Sequence, residues 1–222
     1  MQGLDRMQST TVQMLLAARL VADYARELGA DTERQETRPV YDHMGALLAD
    51  SVLQAGLNYN SVVRPRVEAI LAQFPECDRT SELLPVVIDG QAATFLNWTH
   101  SEKIGRFEAL VRFLDCNAIE TVSDLGEELN QPRFVELLRE VRGVGPKTVD
   151  YMGCLVGLDS VAVDRHVRTF ARRVGVINED YDFLKSVFCC AADLLSLSRR
   201  QFDAWVWRRE SSLSSHQIEF SF

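Results

Sequence analysis

The apolar residues of this chain recur at spacings of three and four almost from end to end, which confines it to a fold built from helices. Ser9 to Thr11 offer N-caps for a run that reaches about Leu28 and stops at Gly29. Residues 31–37 are polar and read as a linker. Pro39 suits the first turn of a helix carrying Met44, Leu47, Leu48, Val52 and Leu53. Gly56 to Asn60 is a break. Ser61 offers the next cap, with Pro65 tolerated in the first turn and Val67, Ile70 and Leu71 on one face. Leu83 to Ile88, bounded by Gly90, is the only strand-like run, and with no repeat of it a parallel sheet has nothing to build from. Helical spacing resumes at Ile104, Phe107, Leu110, Val111 and Leu114, and again in a short helix from about Val122 to Leu129. Phe134, Val135, Leu137, Leu138 and Val141 mark one more buried face. Two further helices are expected at about Tyr181–Leu197 and Arg199–Glu210, the second burying Phe202, Trp205 and Val206. Residues 211–222 have no periodicity and are expected to be loose. The expected fold class is all-α.

A chain of 222 residues holds one domain or two small lobes. No apolar run approaches the roughly 18–20 residues of a membrane span, and the first thirty residues carry acids through their apolar positions, unlike a signal peptide. The five cysteines, Cys77, Cys116, Cys154, Cys189 and Cys190, are odd in number, and no pair has CxxC spacing. That pattern argues against a disulfide framework and a cysteine-based zinc site, and the expectation is reduced thiols in a cytoplasmic protein. The formal net charge of −8 excludes a generally basic nucleic-acid coat protein, but not a local basic face. There are 21 Arg and only three Lys: Lys103, Lys147 and Lys185. A lysine inside a motif of such a chain points to a need for an amine that can lose its proton, which arginine cannot supply.

The informative stretch runs from Leu138 to Gly175. In Gly143-Val144-Gly145-Pro146 an amphipathic helix stops at a glycine, one apolar residue follows, then another glycine, then a proline at the start of a second helix. The expected product is a tight hairpin of helices with Val144 tucked inward. Exposed N–H groups at such a turn suit an anion such as a phosphate.

This stretch resembles the helix-hairpin-helix motif. Its continuation resembles the endonuclease III-like DNA glycosylases that carry the motif (the HhH-GPD superfamily). The hairpin is Leu138, Val141, Gly143-Val144-Gly145 and Lys147, and the segment Val161-Ala162-Val163-Asp164 with His166 follows. The resemblance implies an all-helical protein of two lobes with a DNA-binding cleft. One lobe is residues 44–158, ending in the hairpin at about 131–156, and the other is residues 1–43 with 159–222. It implies that Lys147 and Asp164 are catalytic and that Arg142, Gly143, Val144, Gly145 and Thr148 meet DNA. The residue filling the gap left by an extruded base lies, in such proteins, in a Gln-containing turn. The matching turn here aligns poorly, and Leu57, Asn58 and Tyr59 are candidates for that role, with His166 a candidate behind the pocket. Such proteins often hold an iron–sulfur cluster on four spaced cysteines. Only Cys189 and Cys190 lie in the corresponding region, so no cluster, no other cofactor and no metal are expected. The expected partner is double-stranded DNA containing a damaged or mismatched base or an abasic site. A monomer without membrane contact is expected, at the nucleoid if the source is bacterial.

An amine in the first turn of a helix sits at the positive dipole end, which disfavours its ammonium form and makes it a competent nucleophile for a sugar carbon. Asp164 would stabilise positive charge developing on that sugar. Plainer readings stand beside these. Lys147 can be a phosphate contact alone, as in a non-catalytic DNA-binding hairpin. Asp164 can activate water in a monofunctional glycosylase, or simply cap the helix from Arg165 to Arg173. Tyr151 and Cys154 read as core, Cys189 and Cys190 as small buried residues, and Trp98 as core or pocket. From Arg133 to Arg173 eight basic residues face five acids, so this segment is +3 and the rest of the chain is −11.

Overall fold

The computed structural model describes the backbone of residues 2–33 and 37–219, and the side chains of residues 10–33 and 37–213. Among the described residues there are twelve α-helices and no strand. The chain divides into two compact units, residues 1–38 with 159–222 and residues 39–158. The division falls at Pro39 rather than at Met44, and the N–H of Tyr41, bonded to the carbonyl of Leu155 at 3.0 Å, ties the intervening residues to the second unit.

The first unit opens with α1 (Gln2–Glu27). The second holds α2 (Met44–Leu53), α3 (Arg64–Gln73), α4 (Thr80–Ile88), α5 (Ala92–Phe95), α6 (Ser101–Cys116), α7 (Val122–Glu128), α8 (Pro132–Glu140) and α9 (Pro146–Leu155). The chain then returns to the first unit with α10 (Arg165–Arg173), α11 (Tyr181–Leu194) and α12 (Arg199–Glu219).

Every residue of α2 is buried. A helix apolar on nearly all sides belongs at the centre of a core, and α3, α4, α6 and α9 all pack on this one. His43 caps it, its Nδ1 accepting from the N–H of Ala46 at 3.1 Å. Pro39 therefore precedes the helix instead of starting it. Asn58, not Ser61, caps the next segment: its Oδ1 accepts the N–H of Ser61 at 3.0 Å, and a π-helical turn from Tyr59 to Val63 leads into α3.

The expected strand at Leu83–Ile88 is the helix α4. Leu83 and Val87, four apart, are buried, whereas Ile88 is exposed, so the burial has a helical period rather than a period of two. In α8 the buried face is narrower than its sequence suggests: Phe134 and Leu138 are buried, but Leu137 is exposed.

In the first unit α1 packs along α11, and α12 packs on both α10 and α11. Small residues of α1 (Ala18, Val21, Ala22, Ala25) meet the aromatic centre of Phe170, Phe188, Phe202 and Trp205 in one core. Phe170 lies edge-on to Phe188 and Trp205 at centroid distances of 6.1 and 5.9 Å. Helix α1 begins at Gln2, well before the caps expected at Ser9 to Thr11. Helix α12 continues to Glu219, so residues 211–219 are helical rather than loose, and residues 220–222 lie outside the described residues.

Candidate functional site

The first group of candidate residues lies in the unit of residues 39–158. Helix α8 ends at Val141, and Gly143 takes φ +83°, a conformation that side chains resist. The N–H of Val144 closes the turn on the carbonyl of Val141 at 2.9 Å, and the Val144 side chain is buried. Gly145 caps α9, its carbonyl accepting from the N–H groups of Thr148 and Val149. Among the described residues, no acceptor meets the N–H of Gly143 or Gly145. Arg142 is exposed, 4.0 Å from Glu102. The side chains of Val144, as expected, and of Thr148 point into the unit, so what these positions offer at the surface is backbone.

Arg106 of α6 packs against the bare side of Gly143. A Cβ at that position would stand 2.3 Å from its guanidinium nitrogens, so a side chain there would push the arginine head aside, while the φ is what calls for glycine.

Lys147, the second residue of α9, is half-buried, and its amine donates to the side-chain oxygen of Gln54 at 2.7 Å. One turn on along α9 and one turn back along α2, the hydroxyl of Tyr151 donates to Asp50 at 2.8 Å. Asp50 is wholly buried and also accepts from Tyr41 at 2.7 Å and Tyr59 at 3.1 Å. Burial raises the Tyr41 phenol well above its ordinary value, and the Asp50 charge raises it further. Helices α2 and α9 are thus joined by two polar rungs, Asp50–Tyr151 and Gln54–Lys147.

The three candidates for filling a base gap behave differently. Tyr59 is drawn inward by Asp50, and Asn58 uses its side-chain oxygen as a cap, while Leu57 is half-buried. Trp98 is half-buried beneath the Arg66 guanidinium, 5.0 Å from its ring, so it is neither a full core residue nor an open aromatic wall.

The second group lies in the other unit. Asp164 caps α10, its Oδ1 accepting from the N–H of His166 at 2.8 Å and of Val167 at 3.0 Å. The preceding Val161, Ala162 and Val163 are buried, which anchors the carboxylate on a rigid segment. His166 is buried with its ring edge-on to Trp207 at 6.1 Å. Burial lowers its pKa, although Asp164 opposes the shift. Arg38 lies over the same Trp207 ring and donates to Asp203 at 2.5 Å. Asp203 is fully buried, and burial raises its pKa despite Arg38.

Asp50, Gln54, Lys103, Arg106, Arg38 and Asp203 escaped the sequence reading. Two left a signal: Asp50 and Asp203 are single acids inside otherwise apolar helical runs. The partners of Arg106 and Gln54 are remote in sequence and left none.

Cys189 and Cys190 are half-buried on α11 against the core of their unit, less enclosed than expected, while Cys77, Cys116 and Cys154 lie in the other unit. Two adjacent thiols do not make a four-cysteine cluster site. Among the described residues no three His, Cys, Asp or Glu side chains converge as metal ligands, and no helix is long and apolar enough to cross a membrane. No protein-family model matches the chain, and no curated protein is significantly similar to it.

Proposed function

We propose that this protein is a base-excision DNA glycosylase with abasic-site lyase activity, built on a helix-hairpin-helix motif. The observation that carries the reading is the Lys147 amine. It stands in the first turn of α9, directly after the Gly143–Gly145 turn, and a neutral amide oxygen holds it at 2.7 Å. An amine there is near a positive helix end and near N–H groups suited to a phosphate.

In this reading a damaged or mismatched nucleotide leaves the duplex, because C1′ of a stacked nucleotide is out of reach. The neutral amine of Lys147 attacks the deoxyribose C1′, and the C1′–base bond breaks, the electron pair leaving with the base. Ring opening gives a Schiff base between Nζ and C1′. Loss of a C2′ proton then expels the 3′ phosphate by β-elimination, and water releases the lysine. Asp164 stabilises positive charge as it develops on the sugar. Its cap bonds to His166 and Val167 support this role, because they fix the carboxylate before substrate arrives.

Incubation with duplexes carrying an abasic site or single damaged bases, followed by borohydride, tests the reading. The expected result is a covalent adduct that Lys147→Ala abolishes. An adduct surviving Lys147→Ala displaces the nucleophile assignment. Base release without an adduct favours Asp164-activated water, and binding without either reaction leaves a DNA-binding module.

A further inference from the structure

Two of the three lysines of this arginine-rich chain lie in the unit of residues 39–158, on either side of Gln54. Lys103, in the first turn of α6, reaches the end of α2. There its amine donates to the carbonyls of Val52 at 2.9 Å, Leu53 at 3.2 Å and Ala55 at 2.8 Å. The last carbonyls of a helix lack partners along the helix and carry its negative end, so a cation suits them. Leu53 and Ala55 flank Gln54, and the Gln54 side chain holds the Lys147 amine at 2.7 Å. A tetrahedral ammonium with three donors can gather three carbonyls around one point. A planar guanidinium fork cannot.

We propose that Lys103 is a positioning residue for Lys147, fixing the turn that presents Gln54 to the Lys147 amine. Its charge has a second consequence. The charged groups that act on Lys103 are Arg106 from its own helix and Lys147 from α9, both cations. With burial as the larger cause, they bring the Lys103 pKa down to about 8. The repulsion is mutual, so an ammonium at Lys103 favours the neutral form of its neighbour. The catalytic meaning of the pair rests on the lyase reading above; the coupling itself is a property of the folded chain.

Three lysines make the test tractable. In protein labelled with 13C-lysine only three side-chain methylene sets titrate, and Lys185→Arg, outside this corner, helps assign them. In Lys103→Met the Lys147 titration is expected to move upward, so that less of the amine is neutral at a given pH. The rate of borohydride-trapped adduct should fall at least tenfold, with its pH profile displaced the same way. Lys103→Arg keeps the charge but not the three-carbonyl grip. It should retain most of the titration position while still losing trapping rate. An unchanged Lys147 titration and trapping rate in a folded Lys103→Met protein would overturn the proposal. Should that variant fail to fold, full trapping rate in Lys103→Arg would overturn the positioning role by itself. Absence of any adduct in the wild type sinks the lyase reading instead, and the Lys147 titration then decides the coupling alone.

Discussion

Gly143 is glycine for its backbone, and the added cost of moving Arg106 can be measured apart from that. Its φ of +83° costs a side chain roughly 1 kcal/mol, and a Cβ would also displace the Arg106 guanidinium. Gly143→Ala should therefore lower stability by about 1–2 kcal/mol. In an Arg106→Ala background only the conformational part should remain, and urea melts of the two single variants and the double variant read the difference. Asp50 is a sharper case. Asp50→Ala leaves the hydroxyls of Tyr41, Tyr59 and Tyr151 without their acceptor in the core, and should cost about 3 kcal/mol or more. Lys103 gives a pH signature. Its folded pKa, about 8, lies below the 10.5 of a free lysine, so between those values the unfolded chain holds more protons. Its ionisation penalty is thus fully present below pH 8 and is relieved as pH rises towards 10.5. Stability measured from pH 7.5 to 9.5 should rise less, or fall more, in Lys103→Met than in the wild type. Equal slopes would contradict the shift. None of these pairings was visible in the sequence beyond the rarity of lysine, because Lys103 meets partners about fifty residues away.

At the scale of the element, α10 allows structure and chemistry to be separated. Asp164→Ala removes the cap from His166 and Val167, and should cost about 0.5–2 kcal/mol of stability. Asp164→Asn keeps an accepting oxygen, so it should melt near the wild type while losing the proposed base excision. Thermal melts beside a base-release assay distinguish the two effects. This cap was legible because an N-cap is a local matter, written within three residues. So was the turn at Gly143–Gly145, where glycine and proline set the backbone directly. Helix α4 was not legible. Leu83 to Ile88 is a continuous apolar run, and such a run has no period to read. What makes it a helix is its packing on α5 and α6, which buries Leu83 and Val87 and leaves Ile88 outside.

For the whole molecule, the two crossings between the units at residues 38–39 and 158–159 make one unit continuous in sequence and the other not. Residues 39–158 carry their own core around α2, and as a fragment should be helical by circular dichroism with a cooperative melt. Residues 159–222 lack α1, whose Ala18, Val21, Ala22 and Ala25 complete the core around Phe188 and Trp205. That fragment should fail to fold until residues 1–38 are added in trans. A folded 159–222 fragment would show that α1 is dispensable. The charge distribution makes a further prediction about the proposed partner. With +3 between Arg133 and Arg173 and −11 elsewhere, binding to undamaged duplex should be weak. It should also weaken as salt rises. Tight binding to undamaged duplex at high salt would speak against the proposed partner.

The sequence by itself determined the all-helical class, the glycine turn before α9 and the capping Asp164. Each depends on residues within a turn or two of one another, where backbone sterics and short-range hydrogen bonds act. Only the tertiary structure decided that Gln54 holds Lys147, that Lys103 grips the end of α2, that three tyrosines converge on Asp50, and that Arg38 meets Asp203. These contacts join residues from 9 to 165 positions apart. Their geometry follows from helix packing around a shared core, and periodicity along the chain carries no record of which helix faces which.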